Sequence, residues 1–182
     1  MPATKEEIAA TFGEVVFRYG YRRASVDDVA RALHISKQTI YEHFGSKEGL
    51  YRGAVELWAT QQRHRVESLI TETSALGRLA EVTAIAFADA RRGLAENPRV
   101  DAAEPPEIVA EVNERVFGPM LRDLIVQGNQ AGELHVKDPE MTAAFAVAIG
   151  VEAVRMMRHD QSSRPEEAAL DALRRLVAGS VE

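Results

Sequence analysis

The residues with the clearest chemical potential lie in the stretch ISKQTIYEHFGSKEGL, residues 35 to 50. It has the pattern of a two-turn amphipathic helix, in which Ile40 and Phe44 share the inner face at i, i+4 spacing. An ammonium there could donate to guanine edges or phosphates, and a glutamine amide could pair with adenine at two points. A helix this short is marginal alone, so it must pack on neighbouring elements. Its outward residues are Lys37, Gln38, Tyr41 and His43.

Cap residues predict the elements that would hold this helix in place. A capping box, Thr4 with Glu7, opens a first helix that Gly20 ends. Three serines then cap the helices that follow, and the last of these runs from about 47 to 71. Residues 25 to 44 therefore predict a helix-turn-helix, whose second helix would offer its exposed face to a major groove. The three serines are Ser25, Ser36 and Ser46.

The rest of the chain also follows the helical period, and no alternating strand pattern interrupts it. Turn residues divide it into helices at about 78–95, 106–131, 139–159 and 165–179, with the course of 97–106 left open. We expect an all-α fold of about nine helices. We assign 1–46 to a helix-turn-helix DNA-binding domain. We assign 47–182 to a helical ligand-binding and dimerisation domain, which the long helix at about 47–71 joins to the head.

Composition limits the class of protein. There is no cysteine, which excludes disulfides and thiolate chemistry, and no apolar run is long enough to span a membrane. We therefore expect a soluble, cytoplasmic protein. The net charge is −6, yet residues 1–70 carry 10 basic and 9 acidic side chains, against 12 and 19 in residues 71–182. The acidic excess thus lies outside the predicted head, where it does not oppose binding to a polyanion.

The segment AATFGEVVFRYGYRRASVDDVARALHISKQTIYEHFGSKEGLY resembles the N-terminal domain of the TetR family of bacterial transcriptional regulators. The resemblance implies a homodimer that binds a palindromic operator in double-stranded DNA, usually to repress, until a small molecule binds the C-terminal domain. By position, Lys37, Gln38 and Tyr41 match base-contacting residues. The matches to phosphate contacts are Ser25, Thr39, His43 and Lys47. His34 stands where the family usually has glycine, and we expect a small stability cost there.

The C-terminal half resembles the family more weakly, through VFGPMLRDLIVQGNQAGELHVKDPEMTAAFAVAIG. Two apolar stripes on the helix at 139–159 require two neighbours. We expect one stripe, with the helix at 165–179, to form a four-helix dimer interface. Glu152 could bind a ligand or pair with Arg155 or Arg158. The candidates for the ligand pocket are Trp58, Gln62, Phe87, Asn113, Phe117, Met120, Phe145, Glu152 and Met156. The candidates for the dimer interface are Ala144, Ala148, Val151, Arg155, Leu170, Leu173, Leu176 and Val177.

Enzyme and metal chemistry find no support in the sequence. The five histidines lack the spacing of known metal motifs, and there is neither a phosphate-binding glycine loop nor a nucleophile motif. We therefore expect no catalytic residues, metal or cofactor. Two hypotheses remain. The first is a ligand-responsive transcriptional regulator that acts as a repressor, and the alternative is a helical small-molecule sensor or interaction protein with little sequence-specific DNA binding. Steep salt dependence of binding to one palindrome would favour the first.

Overall fold

The computed structural model describes residues 3–96 and 105–178, and these form eight α-helices without a strand. The expectation of an all-α fold is confirmed. About nine helices were expected, and the described residues contain eight. The stretch 97–106 was left open, and its residues 97–104 lie outside the described part. The helices are α1 (Lys5–Tyr19), α2 (Val26–Leu33), α3 (Lys37–Phe44), α4 (Lys47–Leu69), α5 (Ala75–Glu96), α6 (Pro106–Gln130), α7 (Pro139–Met157) and α8 (Arg164–Ala178).

The helices begin where the cap residues predict. In the capping box of α1, the Thr4 backbone N–H donates to Glu7 Oε2 at 2.7 Å, and the Glu7 N–H donates to Thr4 Oγ1 at 3.1 Å. Ser36 Oγ accepts the N–H of Thr39 at 3.1 Å at the start of α3. Ser46 Oγ accepts from Gly49 N at 3.0 Å at the start of α4. These local bonds satisfy N–H groups that have no partner within the helix.

The chain divides into two compact units, and the first comprises Met1–Gln61 and Asn97–Val112. Its core includes buried residues from each of the first four helices. Burial of these side chains supplies the apolar contact that the short helices α2 and α3 need. Five fully buried residues of this core are Ile8, Phe12, Val29, Ile40 and Leu50.

The first turns of α4 lie directly against the last residue of α3. A Cβ atom at Gly49 would come 2.1 Å from the Phe44 carbonyl oxygen, and one at Gly53 would come 2.7 Å from the Phe44 ring. Real Cβ contacts are not this short. The absence of side chains at these two positions therefore allows the end of α3 to pack on α4.

The second unit comprises Gln62–Glu96 and Asn113–Glu182. Within it α7 packs against α8, and α5 packs against both. One apolar cluster draws on α4 to α8 and includes Val66, Val82, Ile125 and Val147. A second cluster is formed by Phe87, Ala153, Met157 and Ala169. Every helix of this unit therefore buries one face against its neighbours.

Two helices have residues in both units: α4 crosses from one to the other after Gln61, and α6 crosses after Val112. The functional division at residue 46 stays a prediction, because compactness does not report on function. No helix in the described ranges is long and apolar enough to cross a membrane. Within residues 3–96 and 105–178 there is also no group of three or more His, Cys, Asp or Glu side chains that could hold a metal ion.

Candidate nucleic-acid interface

The turn between α2 and α3 depends on a left-handed residue. His34 has φ 54° and ψ 40°, and its N–H bonds back to carbonyl oxygens at the end of α2. Ile35 N donates to Ala30 O at 3.0 Å, which closes the turn. Glycine adopts this conformation freely, whereas a side chain raises its energy, and histidine is among the more tolerant residues. His34 therefore adopts the left-handed conformation at the position where the sequence analysis predicts a small stability cost.

The outward face of α3 carries the side chains that the sequence singles out. Ile40 is fully buried beneath it, while Tyr41 is 45% exposed. Lys37, Gln38 and His43 are also exposed, and Thr39 is half-buried. Helix α3 thus presents polar donors and an aromatic ring on one side and is anchored on the other, as a helix that reads a major groove must be.

Lys37 is paired in the isolated head. Its Nζ lies 2.8 Å from Asp27 Oδ1, and the hydrogen bond to Asp27 raises the pKa of the lysine. Asp27 lies in the first turn of α2, where its charge suits the helix dipole. The ammonium remains charged and keeps two further N–H donors, but the carboxylate competes with a base for its position.

Gln38 is also held by a carboxylate. Its Nε2 donates to Glu42 Oε1 at 3.0 Å along one side of α3. This bond leaves the amide oxygen of Gln38 free of a contact with Glu42. A bidentate pair with adenine needs both ends of the amide, so the second Nε2 hydrogen would have to serve the base, or the bond to Glu42 would have to break.

Ser25 and Lys47, the candidates for phosphate contacts at the starts of α2 and α4, have structural partners as well. The Ser25 backbone N–H and hydroxyl both donate to Asp28 Oδ2, at 3.3 and 2.7 Å. Lys47 Nζ lies 3.4 Å from the Arg22 carbonyl oxygen and 4.5 Å from the centre of the Tyr21 ring. Burial lowers the pKa of Lys47. These bonds support a capping role for Ser25 and a bracing role for Lys47, in addition to the phosphate contacts that stay predictions.

Sequence reasoning missed Asp27 and Glu42 as partners of Lys37 and Gln38, the candidates for base contacts. The i, i+4 spacing of Gln38 and Glu42 could have indicated their bond, because such residues are neighbours on a helix. For Asp27 the only local signal was its place in the first turn of α2. Its bond to Lys37 joins two different helices, and no sequence spacing specifies that contact.

The pocket candidates are dispersed. A described cavity of about 480 Å³ lies in the second unit, and of the nine candidates only Met120 lines it. Phe87 is buried in the smaller apolar cluster and Phe117 packs on the larger one. Trp58 is 51% exposed, while Gln62 and Asn113 are half-buried. The cavity is lined by Arg63, Glu67, Ile70, Glu72, Arg78, Pro119, Met120, Asp123, Leu124 and Gln127.

The other three pocket candidates lie on an exposed stripe of α7, which we call the α7 stripe and which consists of Met141, Phe145, Ala148, Glu152 and Met156. Phe145 is 53% exposed. Glu152 accepts two bonds from Arg155, at 2.7 and 2.6 Å, so the pairing considered for this carboxylate is present. Of the dimer candidates, Ala148 is exposed on the stripe and Arg155 is exposed beside it, whereas Val177 is buried within its own unit. The other dimer candidates are half-buried, namely Ala144, Val151, Leu170, Leu173 and Leu176.

Comparison with known proteins finds a family match over the helix-turn-helix. Residues 14–54 match the family described as bacterial regulatory proteins, tetR family. The HTH-type transcriptional repressor DhaR of Mycobacterium sp. (strain GP1) is 22% identical over 178 residues, 93% of this chain and 89% of that protein.

Two solved structures share the fold. RolR in complex with resorcinol superposes with a TM-score of 0.76 at 15% identity, covering 95% of this chain and 86% of that one. FadR from Bacillus subtilis in complex with stearoyl-CoA has a TM-score of 0.69 at 21% identity, covering 97% and 99%. The chain is thus similar to the TetR family of bacterial regulatory proteins over the helix-turn-helix, and it shares its fold with these two structures along almost its whole length.

Proposed function

We propose that this protein is a cytoplasmic, ligand-responsive transcriptional repressor that binds a palindromic operator as a homodimer. One observation carries the proposal: α3 buries Ile40 completely and exposes Lys37, Gln38 and Tyr41. These side chains can contact guanine, adenine and thymine edges, and a family relative named as a repressor supports this reading. Phosphate contacts from Thr39, His43 and the α2 and α4 starts would orient the head.

The test is selection of DNA fragments from a random pool by the purified protein, with increasing salt in the washes. We expect one palindrome to be enriched, because two identical heads read two inverted half-sites. Gln38→Ala is the matched variant: it should enrich a site relaxed at one base pair per half. If no sequence is enriched at any salt concentration, the alternative gains support, namely a helical sensor or interaction protein that does not read DNA.

A second copy of the chain is the partner we propose for the α7 stripe. Met141, Phe145 and Met156 are each about half exposed on one helix face. Large apolar side chains clustered in this way favour association, and a stripe on one helix can pair with its own symmetry mate. Helix α8 would add its half-buried leucines to a four-helix contact.

Light scattering of Phe145→Glu tests this dimer. We expect the variant to dissociate to monomers as its concentration is lowered, because the dimer would bury a carboxylate without a partner. Leu76→Glu is the control, because Leu76 is 47% exposed on α5, in the same unit but outside the stripe. A Phe145→Glu variant that stays a dimer at all concentrations would exclude the stripe as the interface.

The effector would bind in the second unit. The described cavity places Arg63 and Arg78 beside apolar side chains such as Met120 and Leu124, which suits a small molecule with both polar and apolar parts. The relatives' ligands differ, resorcinol in one and stearoyl-CoA in the other, so they do not identify the effector. Because α4 has residues in both units, we propose that it couples the cavity to the head.

Operator binding measured with compounds found by thermal-shift screening tests the coupling. An effector that releases a repressor must bind the free form more tightly than the DNA-bound form, so it should lower operator affinity. Met120→Trp, which narrows the cavity, should weaken the response. A compound that binds tightly in the second unit and leaves operator affinity unchanged would contradict the proposal.

A further inference from the structure

The ion pair between Asp27 and Lys37 joins the two helices of the helix-turn-helix. Asp27 is the second residue of α2, and Lys37 is the first residue of α3. Their charged atoms are 2.8 Å apart, and the side chains are 58% and 54% exposed. Because both are exposed, water and DNA can reach the pair. The bond is of the weak surface class, so a well-placed acceptor can compete with the carboxylate for the ammonium.

The position of the Asp27 carboxylate is unfavourable for DNA binding, because its negative charge opposes the phosphates. In a helix-turn-helix the first helix crosses the phosphate backbone, so an anion in its first turn is brought towards phosphates. While Asp27 holds Lys37, the two charges cancel. The head then offers one cation fewer to the phosphates, whose neutralisation supplies most of the affinity for random DNA.

We propose that Asp27 is a positioning residue that sets sequence discrimination through Lys37. On random DNA the carboxylate retains the ammonium. On the operator a guanine edge accepts from Lys37 Nζ, and these bonds offset the loss of the ion pair. The carboxylate therefore lowers binding to random DNA more than binding to the operator. This inference rests on the proposed function, because it requires that α3 reads a sequence.

Asp27→Asn tests the inference, since it keeps the size of the side chain and removes its charge. Affinities for the selected operator and for a random duplex of equal length are measured over a series of salt concentrations. Random-DNA affinity should rise about threefold per head, hence about tenfold for a dimer. The slope of log K against log salt should steepen by about 0.9 per head as Lys37 gains a phosphate. Operator affinity should change less, so discrimination falls several-fold.

Three further variants make the result specific. Asp171→Asn removes one exposed charge from α8 in the other unit and should change neither quantity. Asp27→Glu keeps the charge and should keep most of the discrimination. In a Lys37→Ala background the substitution Asp27→Asn should have no effect on the salt slope. Circular dichroism confirms that each variant is folded.

The outcomes separate the inference from the function beneath it. If the wild type prefers its operator but Asp27→Asn leaves random-DNA affinity and slope unchanged, the inference is wrong and the proposed function stands. If the increase persists in the Lys37→Ala background, Asp27 only repels phosphates and does not act through Lys37, which also overturns the inference. If the wild type has no preferred sequence, both are wrong.

Discussion

Three glycine-to-alanine substitutions should have effects of different sign although their chemistry is the same. In an exposed helix interior alanine is favoured over glycine by about 1 kcal/mol. At Gly93 in α5 no atom of the described residues lies within 4 Å of the added Cβ, so Gly93→Ala should gain that amount. At Gly49 the Cβ would lie 2.1 Å from the Phe44 carbonyl oxygen, and backbone must move. At Gly53 it would meet the rim of the Phe44 ring at 2.7 Å.

The magnitudes follow from what has to give way. Overpacking costs about 1–3 kcal/mol, and the contact with backbone belongs at the upper end, so Gly49→Ala should lose about 2 kcal/mol after the helix-propensity gain. In Gly53→Ala the Phe44 ring can turn aside, so the loss should be smaller. For a chain of this size, about 1 kcal/mol shifts Tm by about 2–4 °C.

Thermal and urea unfolding followed by circular dichroism measure the series. The expected order of stability is Gly93→Ala above the wild type, then Gly53→Ala, then Gly49→Ala. Operator affinity should fall most in Gly49→Ala, because the end of α3 is displaced from α4. A Gly49→Ala protein as stable as the wild type would refute the reasoning, since it would mean that α3 and α4 separate without cost.

Three further predictions concern single side chains of the head. Gln38→Ala should relax preference at one base pair per half-site by about 1–3 kcal/mol, measured with singly substituted operators; a uniform loss over all sequences would contradict base reading. Lys47→Ala should weaken binding to all sequences alike and also lower Tm, because Lys47 braces Arg22 and Tyr21; unchanged stability would exclude the bracing role. The Ser25 hydroxyl lowers the pKa of Asp28, so the cap stabilises the head above the ordinary carboxyl pKa and is lost as pH falls through the lowered value. Asp28→Asn should therefore flatten the acid limb of the curve of urea midpoint against pH, and equal acid limbs in both proteins would contradict it.

The helix starts and the polarity of α3 could be predicted because their causes are local. A capping serine and the residue three positions on meet through a single turn of backbone, and Ile40 is buried because the helical period separates it from Gln38. The left-handed turn at His34 follows from equally short-range constraints. The predicted function class rests on the same stretch, through its helix-turn-helix pattern and its resemblance to a family of regulators.

The faces of α7 show where sequence reasoning stops. Both of its stripes are apolar, so the period alone does not say which neighbour each one meets. Phe145 and Met156 were assigned to a pocket, yet in the structure they are about half exposed. Ala148, a candidate for the dimer interface, is exposed on the same face of α7. The composition of the cavity was likewise out of reach, since Arg63 and Gln127 approach it from helices far apart in the chain.

The same reason applies to the contacts that tune the head. The ion pair of Lys37 with Asp27, the bracing of Arg22 and Tyr21 by Lys47, and the approach of Phe44 to Gly49 each depend on how two elements pack. Composition and period record which side chains are available and which face of a helix is apolar. They do not contain the distance between one helix and the next, because that distance is set by the packing of the whole core.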